Sequence, residues 1–281
     1  MNRKVFPLVL IIIFIFNTLN FSQSLKPTSN ASSWFKLIKQ DLRAGEHHKR
    51  HSDIFGKSVD GYNSFIIRAI DIVQSKAMDG GGYFAQLNAD PPEAPTGYSL
   101  QLFNSKLIEP ARTTSYCSGS TYSVFVEAMN LIFPDRKLDD EKIELLKMQE
   151  PDGGRREDHV KMWGEWNADG FGNHFALVQY SQVGKRVKPD EAKPGDFMNI
   201  SWKTGGGHSV IFLGWYVDEE GKKNVVYWSS QKATNGFGDQ VIPLERIEEI
   251  CVVRLTDPEK IFSFTPPQKM FYGVKGDKIN W

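Results

Sequence analysis

The sequence predicts an α+β fold, and two observations carry the prediction. Apolar residues recur at three- and four-residue spacing through the first two thirds of the chain. The last third instead shows short β-rich runs divided by glycine turns. Helices first and antiparallel strands later is the α+β order, not the alternation of βαβ units. A chain of 281 residues, 40% hydrophobic and 24% charged, has material for one large domain or two small ones.

The elements follow in order. Arg3 and Lys4 precede an apolar run from Val5 to Phe16, and polar residues return at Asn17, Asn20, Ser22 and Gln23. That run is short for a membrane span of roughly 20 residues and fits the core of a secretory signal peptide. We therefore expect a leader over 1–23, cleavage near Gln23 or Ser24, an exported periplasmic or extracellular protein, and no stable membrane insertion afterwards. Residues 24–110 read as a helical and irregular segment packing on a core domain over 111–281.

Phe35, Leu37, Ile38 and Leu42 suggest a helix over 34–42, and Phe65, Ile66, Ala69, Ile70 and Val73 one over 62–76, ended by Asp79-Gly80-Gly81-Gly82. Pro91, Pro92, Pro95 and Gly97 exclude regular structure, and a short strand is expected over 98–102. Thr121, Val124, Phe125, Ala128, Met129 and Ile132 define a helical face over 118–133, stopped by Pro134. Further helices are expected over 139–149 and 173–183, flanking a Gly- and Trp-rich stretch over 152–172. Strands are expected over 196–202, 209–217, 224–230 and 251–255, with turns at Gly205-Gly206-Gly207, Glu220-Gly221 and Asn235-Gly236.

The chain is formally neutral, which argues against a nucleic-acid partner. Its densest basic stretch, Glu46-His47-His48-Lys49-Arg50-His51, reads as a solvated helix end. Glu46, His47 and His51 have a spacing compatible with one helix face, but Gly45 weakens the pattern, so no metal or other cofactor is expected. The two cysteines differ in setting. Cys251 lies in the apolar run Ile250-Cys251-Val252-Val253, whereas Cys117 opens a helix within Thr113-Thr114-Ser115-Tyr116-Cys117-Ser118-Gly119-Ser120-Thr121. This contrast predicts one buried thiol and one reactive thiol rather than a disulfide.

Thiolate is the reactive form of cysteine, and a helix N-terminus stabilises it. Small residues after Cys117 leave backbone amides open to a substrate oxyanion. Downstream, Lys193-Pro194-Gly195-Asp196 launches one strand, and Gly207-His208 opens another that ends at Gly214. A histidine placed there can face a cysteine on an opposing helix. The next strand offers Ser229 and Gln231 on one face, either of which would set the imidazole tautomer.

Cys117-Ser118-Gly119, Pro194-Gly195-Asp196 and Gly207-His208 through Gly214 together resemble the NlpC-type and CHAP-type hydrolases among the papain-like cysteine peptidases. The resemblance covers about residues 112–232. It implies a papain-like core, with a nucleophile helix at its N-terminus packed on a small antiparallel sheet, and extra helices in an insert over about 134–187. It implies Cys117 as nucleophile, His208 as base and Gln231 as the residue orienting it, with Ser229 the alternative. Tyr116 or Thr114 would add an oxyanion donor, and Ser118, Trp163, Trp166 and Trp202, with Phe171 and His174, would line the substrate cleft. Tyr116 replaces the Asp that many NlpC-type peptidases carry before the cysteine, and the Cys-to-His separation exceeds that of compact members. The implied activity is an amidase or peptidase acting through an acyl-enzyme on peptidoglycan-like cell-wall peptides. A thiol acyltransferase or esterase on the same fold, and a binding module without catalysis, are the alternatives.

Overall fold

Residues 34–77, 80–86, 88–148 and 161–281 are described by a computed structural model. The expected leader, and His159 with residues 149–160 of the insert, lie outside them. Among the described residues the fold is mixed α and β, with two antiparallel sheets. No helix among them is long and apolar enough to cross a membrane.

A small hairpin pairs β1 (Leu100–Leu102) with β2 (Ser105–Ile108). The main sheet holds β3 (Gly184–Val187), β4 (Phe197–Trp202), β5 (Gly207–Val217), β6 (Lys223–Gln231), β7 (Gly236–Pro243) and β8 (Ile247–Leu255). Their spatial order is β3-β8-β4-β5-β6-β7. Four of these were legible as apolar runs. β7 was not, because Gly236 and Gly238 read as a turn, and β3 was hidden by its polar Lys185 and Arg186.

The helices are α1 (His51–Phe55), α2 (Tyr62–Lys76), α3 (Cys117–Ile132), α4 (Asp140–Leu146), α5 (Met162–Trp166) and α6 (Gly172–His174). A π-helical turn, Phe175–Tyr180, continues α6. Asp139 caps α4 by accepting from the Lys142 backbone N–H. The apolar stripe of α2 buries Ile66, Ile70 and Val73 against α3 and the sheet. Each such side chain contributes about 1.5–3 kcal/mol by leaving water. The periodicity read a single buried face on α3. In fact α3 is buried on nearly every side from Ser118 to Met129, because α2, the sheet and α5 enclose it.

Two expectations need correction. Residues 34–42 do not form a helix; only the 3-10 turn Lys39–Asp41 is helical. Phe35 and Leu37 instead exchange backbone hydrogen bonds with Trp215 on β5, and Leu37 covers Gly214. A Cβ on Gly214 would fall 2.5 Å from Leu37 Cγ, so glycine there is a matter of space. Four apolar positions in a short run do not distinguish an extended segment from a helix turn.

The basic stretch 46–51 is likewise no solvated helix end. Glu46 and His47 precede the helix, which starts only at His51, so the three candidate positions share no face. His51 is completely buried, because Asp71 on α2 and Asp239 on β7 face its two ring nitrogens at 2.8 and 2.9 Å. Both partners lie far from His51 in sequence, where no local pattern reveals them.

Candidate active site

Cys117 occupies the first position of α3, half exposed, after Tyr116 in an extended conformation. A seam of small polar residues fastens this helix end to the sheet. Thr121 Oγ1 meets Ser209 Oγ at 2.8 Å, Ser120 Oγ accepts from the Ser230 backbone N–H at 3.1 Å, and Trp166 Nε1 donates to Thr121 Oγ1 at 3.1 Å. Gly119 lets the Pro95 carbonyl cross the helix, since a Cβ there would lie 1.7 Å from that oxygen. The Ser-Gly-Ser-Thr sequence after the cysteine thus places the helix as well as keeping its amides uncovered.

The seam sets the sulfur against the start of β5. His208 and the backbone N–H groups of Ser209 and Ser118 stand near enough to the Cys117 sulfur to favour its thiolate. Burial pushes the Cys117 thiol up, but these donors outweigh it and hold the thiol below its ordinary value. Cys251 shows the reverse: burial on β8 pushes its thiol up to about 12. Both cysteines are free.

The orientation of the imidazole follows from Gln231. Its Nε2 donates to the Gly238 carbonyl at 3.0 Å and to Thr234 Oγ1 at 2.6 Å. A carbonyl only accepts, so the amide nitrogen must face Gly238 and the amide oxygen must face His208. Gln231 Oε1 then lies 3.3 Å from His208 Nε2 and accepts its proton. This leaves Nδ1, unprotonated in the neutral ring, as the nitrogen for the sulfur. Trp202 and Tyr227 flank the ring at centroid distances of 6.3 and 5.5 Å.

A cleft of about 540 Å³ opens over the sulfur. Tyr83, Tyr116, Ser118, Trp166, Asn167 and Asp169 are among its lining residues. Of the expected site residues, Cys117, His208 and Gln231 converge, and Tyr116, Ser118 and Trp166 reach the cleft. Ser229 does not reach the imidazole. Its hydroxyl donates to the Ser209 carbonyl at 2.7 Å, and it is fully buried. Thr114 lies outside the cleft lining with its hydroxyl buried. Trp163 is core, edge-on to Tyr122, and Phe171 is buried away from the cleft. His174 lies beyond the lining against Phe175, and Trp202 stands beside His208 rather than in the lining.

Asn167 was not anticipated. It follows α5 and lines the cleft, and its Oδ1 accepts from Ser118 Oγ. Its Nδ2 is buried with no hydrogen-bond partner. Only the tertiary fold of the insert brings this amide beside the residue after Cys117. Asp196, in the Pro-Gly-Asp motif, is by contrast remote from the lining. It is buried and held by Arg254 Nε and Nη2 and by Asn63 Nδ2 at 2.7–2.8 Å, which makes the motif an anchor for β4. Comparison of the chain with protein-family models, curated proteins and solved structures finds no match.

Proposed function

We propose that this chain is an exported cysteine hydrolase of papain-like type that cleaves amide bonds through an acyl-enzyme. The observation that carries the reading is that Cys117 and His208 line one open cleft, the imidazole favouring the thiolate and lying 3.3 Å from Gln231 Oε1. His208 Nδ1 takes the thiol proton, and Cys117 Sγ attacks the carbonyl carbon. The carbonyl π electrons move to oxygen, which becomes the oxyanion. The Cys117 N–H at the helix start and the Asn167 amide, which borders the cleft, are the donors assigned to that charge. Collapse expels the amine, which leaves with the proton from His208. Water then adds to the thioester, with His208 again as base, and the carboxylic acid departs as the thiol is restored.

The polar lining, which includes Ser118, Asn167, Asp169, Asn199, Ser201 and Ser209, suits a peptide better than a hydrocarbon acyl chain. Export and a cell-wall peptide substrate rest on the leader and on the family resemblance. Incubation of the protein with purified peptidoglycan tests the reading. New amine and carboxyl ends should appear, at a rate lost in Cys117→Ala. Equal digestion by Cys117→Ala would refute it.

A further inference from the structure

We propose that His48, His51 and Asp239 form a binding site for one divalent metal ion of the zinc class, separate from the thiol site. Backbone contacts hold the three donors together. Gly45 N–H donates to the Asp239 carbonyl at 2.9 Å, and His47 Nδ1 lies 2.6 Å from the Phe237 carbonyl oxygen, so the chain before α1 lies along β7. From there His48 Nε2 reaches Asp239 Oδ2 at 3.0 Å and His51 Nε2 reaches Asp239 Oδ1 at 2.9 Å. All three donor atoms lie within 4.8 Å of one another. Their side chains are 8%, 0% and 1% exposed.

Two imidazoles and a carboxylate are a donor set that zinc takes in tetrahedral sites with one position left for water. A further carboxylate stands behind the set. Asp71 Oδ1 lies 2.8 Å from His51 Nδ1, and Asp71 also accepts the backbone N–H groups of His51 and Ser52 at 3.0 and 2.9 Å. That carboxylate fixes the His51 ring with Nδ1 protonated and Nε2 aimed at the site, the arrangement by which outer-shell carboxylates orient metal-binding histidines.

The remaining ring nitrogens are also engaged: Arg50 N–H donates to His48 Nδ1 at 3.2 Å, and His51 faces a carboxylate at each nitrogen. On binding, the His51 Nε2 proton leaves to solvent. The His48 proton moves to Nδ1, and the exposed Arg50 contact opens. The His48 and His51 rings stack with centroids 4.1 Å apart, so on binding they tilt to converge their Nε2 atoms on zinc at about 2.0–2.2 Å.

The location gives the ion a use. Gly238, whose carbonyl orients Gln231, is the residue before Asp239. An ion clamping the chain before α1 onto β7 therefore stiffens the support of His208.

A thiolate beside an imidazole also attracts zinc, so the test uses the full chain carrying Cys117→Ser. After exposure to zinc and dialysis, elemental analysis should find one zinc per chain. Its melting temperature should rise by about 5–10 °C at hundredfold excess over Kd. Adding His48→Ala should abolish both effects while leaving the metal-free melting temperature near that of its parent. Asp71→Asn should weaken zinc about 10- to 100-fold. No retained zinc in the Cys117→Ser chain, or retention untouched by His48→Ala, would overturn the proposal. Should His48→Ala fail to fold, the stoichiometry of the parent and the Asp71→Asn affinity still decide.

Discussion

The two cysteines are the same group in opposite surroundings. Cys117 sits at a helix start with backbone N–H groups and an imidazole directed at its sulfur, and it borders a cleft. Cys251 sits mid-strand on β8 opposite Asn199 of β4, buried, with its thiol pushed up to about 12. Burial opposes ionisation at both. Only where fixed donors repay the lost hydration does a thiol become a nucleophile. In the proposed reading, reactivity comes from the helix terminus and the β5 start, not from cysteine itself.

That contrast can be broken in several ways, the largest first. Cys117→Ala should lower kcat/KM for peptide hydrolysis on the order of 10⁴-fold, whereas Cys251→Ala should leave it within about threefold. Comparable losses in steady-state kinetics would erase the distinction. Asn167→Ala should lower kcat about 10²–10³-fold with little change in KM, the pattern of a contact made only in the transition state. A pure KM effect would make Asn167 a binding residue instead. Gln231→Ala should cost about 10- to 100-fold in kcat/KM and move the acidic limb of the pH–rate profile, since the imidazole loses its fixed tautomer. A variant with an unmoved profile would show that Gln231 merely fills space. Cys251→Ser should cost about 1–3 kcal/mol in denaturant unfolding, from a buried hydroxyl among apolar neighbours, at unchanged activity.

What the sequence disclosed, and what it hid, follows the range of each interaction. α2 and α3 were legible because apolar periodicity is local, and Cys117, His208 and Gln231 because each sits within a short patterned segment. Strand alternation set Ser229 and Gln231 on one face, and Gln231 was preferred for its amide oxygen, which does lie 3.3 Å from His208 Nε2. Residues 34–42 were misread because their partner is Trp215, far along the chain. β7 was missed because its glycines look like a turn unless one sees the close backbone packing there. The His51 network and Asn167 depend on residues that only folding brings together.

The central claim is that His208 holds the Cys117 thiol below its ordinary value. Alkylation by iodoacetamide, followed residue by residue with mass spectrometry across pH, measures it directly. The rate for a thiol climbs about tenfold per pH unit up to its pKa and then levels, so a lowered pKa moves the plateau to lower pH. Cys117 should level below the ordinary thiol range near 8.5 while Cys251 stays unmodified, and His208→Ala should carry the Cys117 plateau upward and slow its reaction at pH 6. A Cys117 profile that matches a free thiol, or one that His208→Ala leaves in place, would contradict the account.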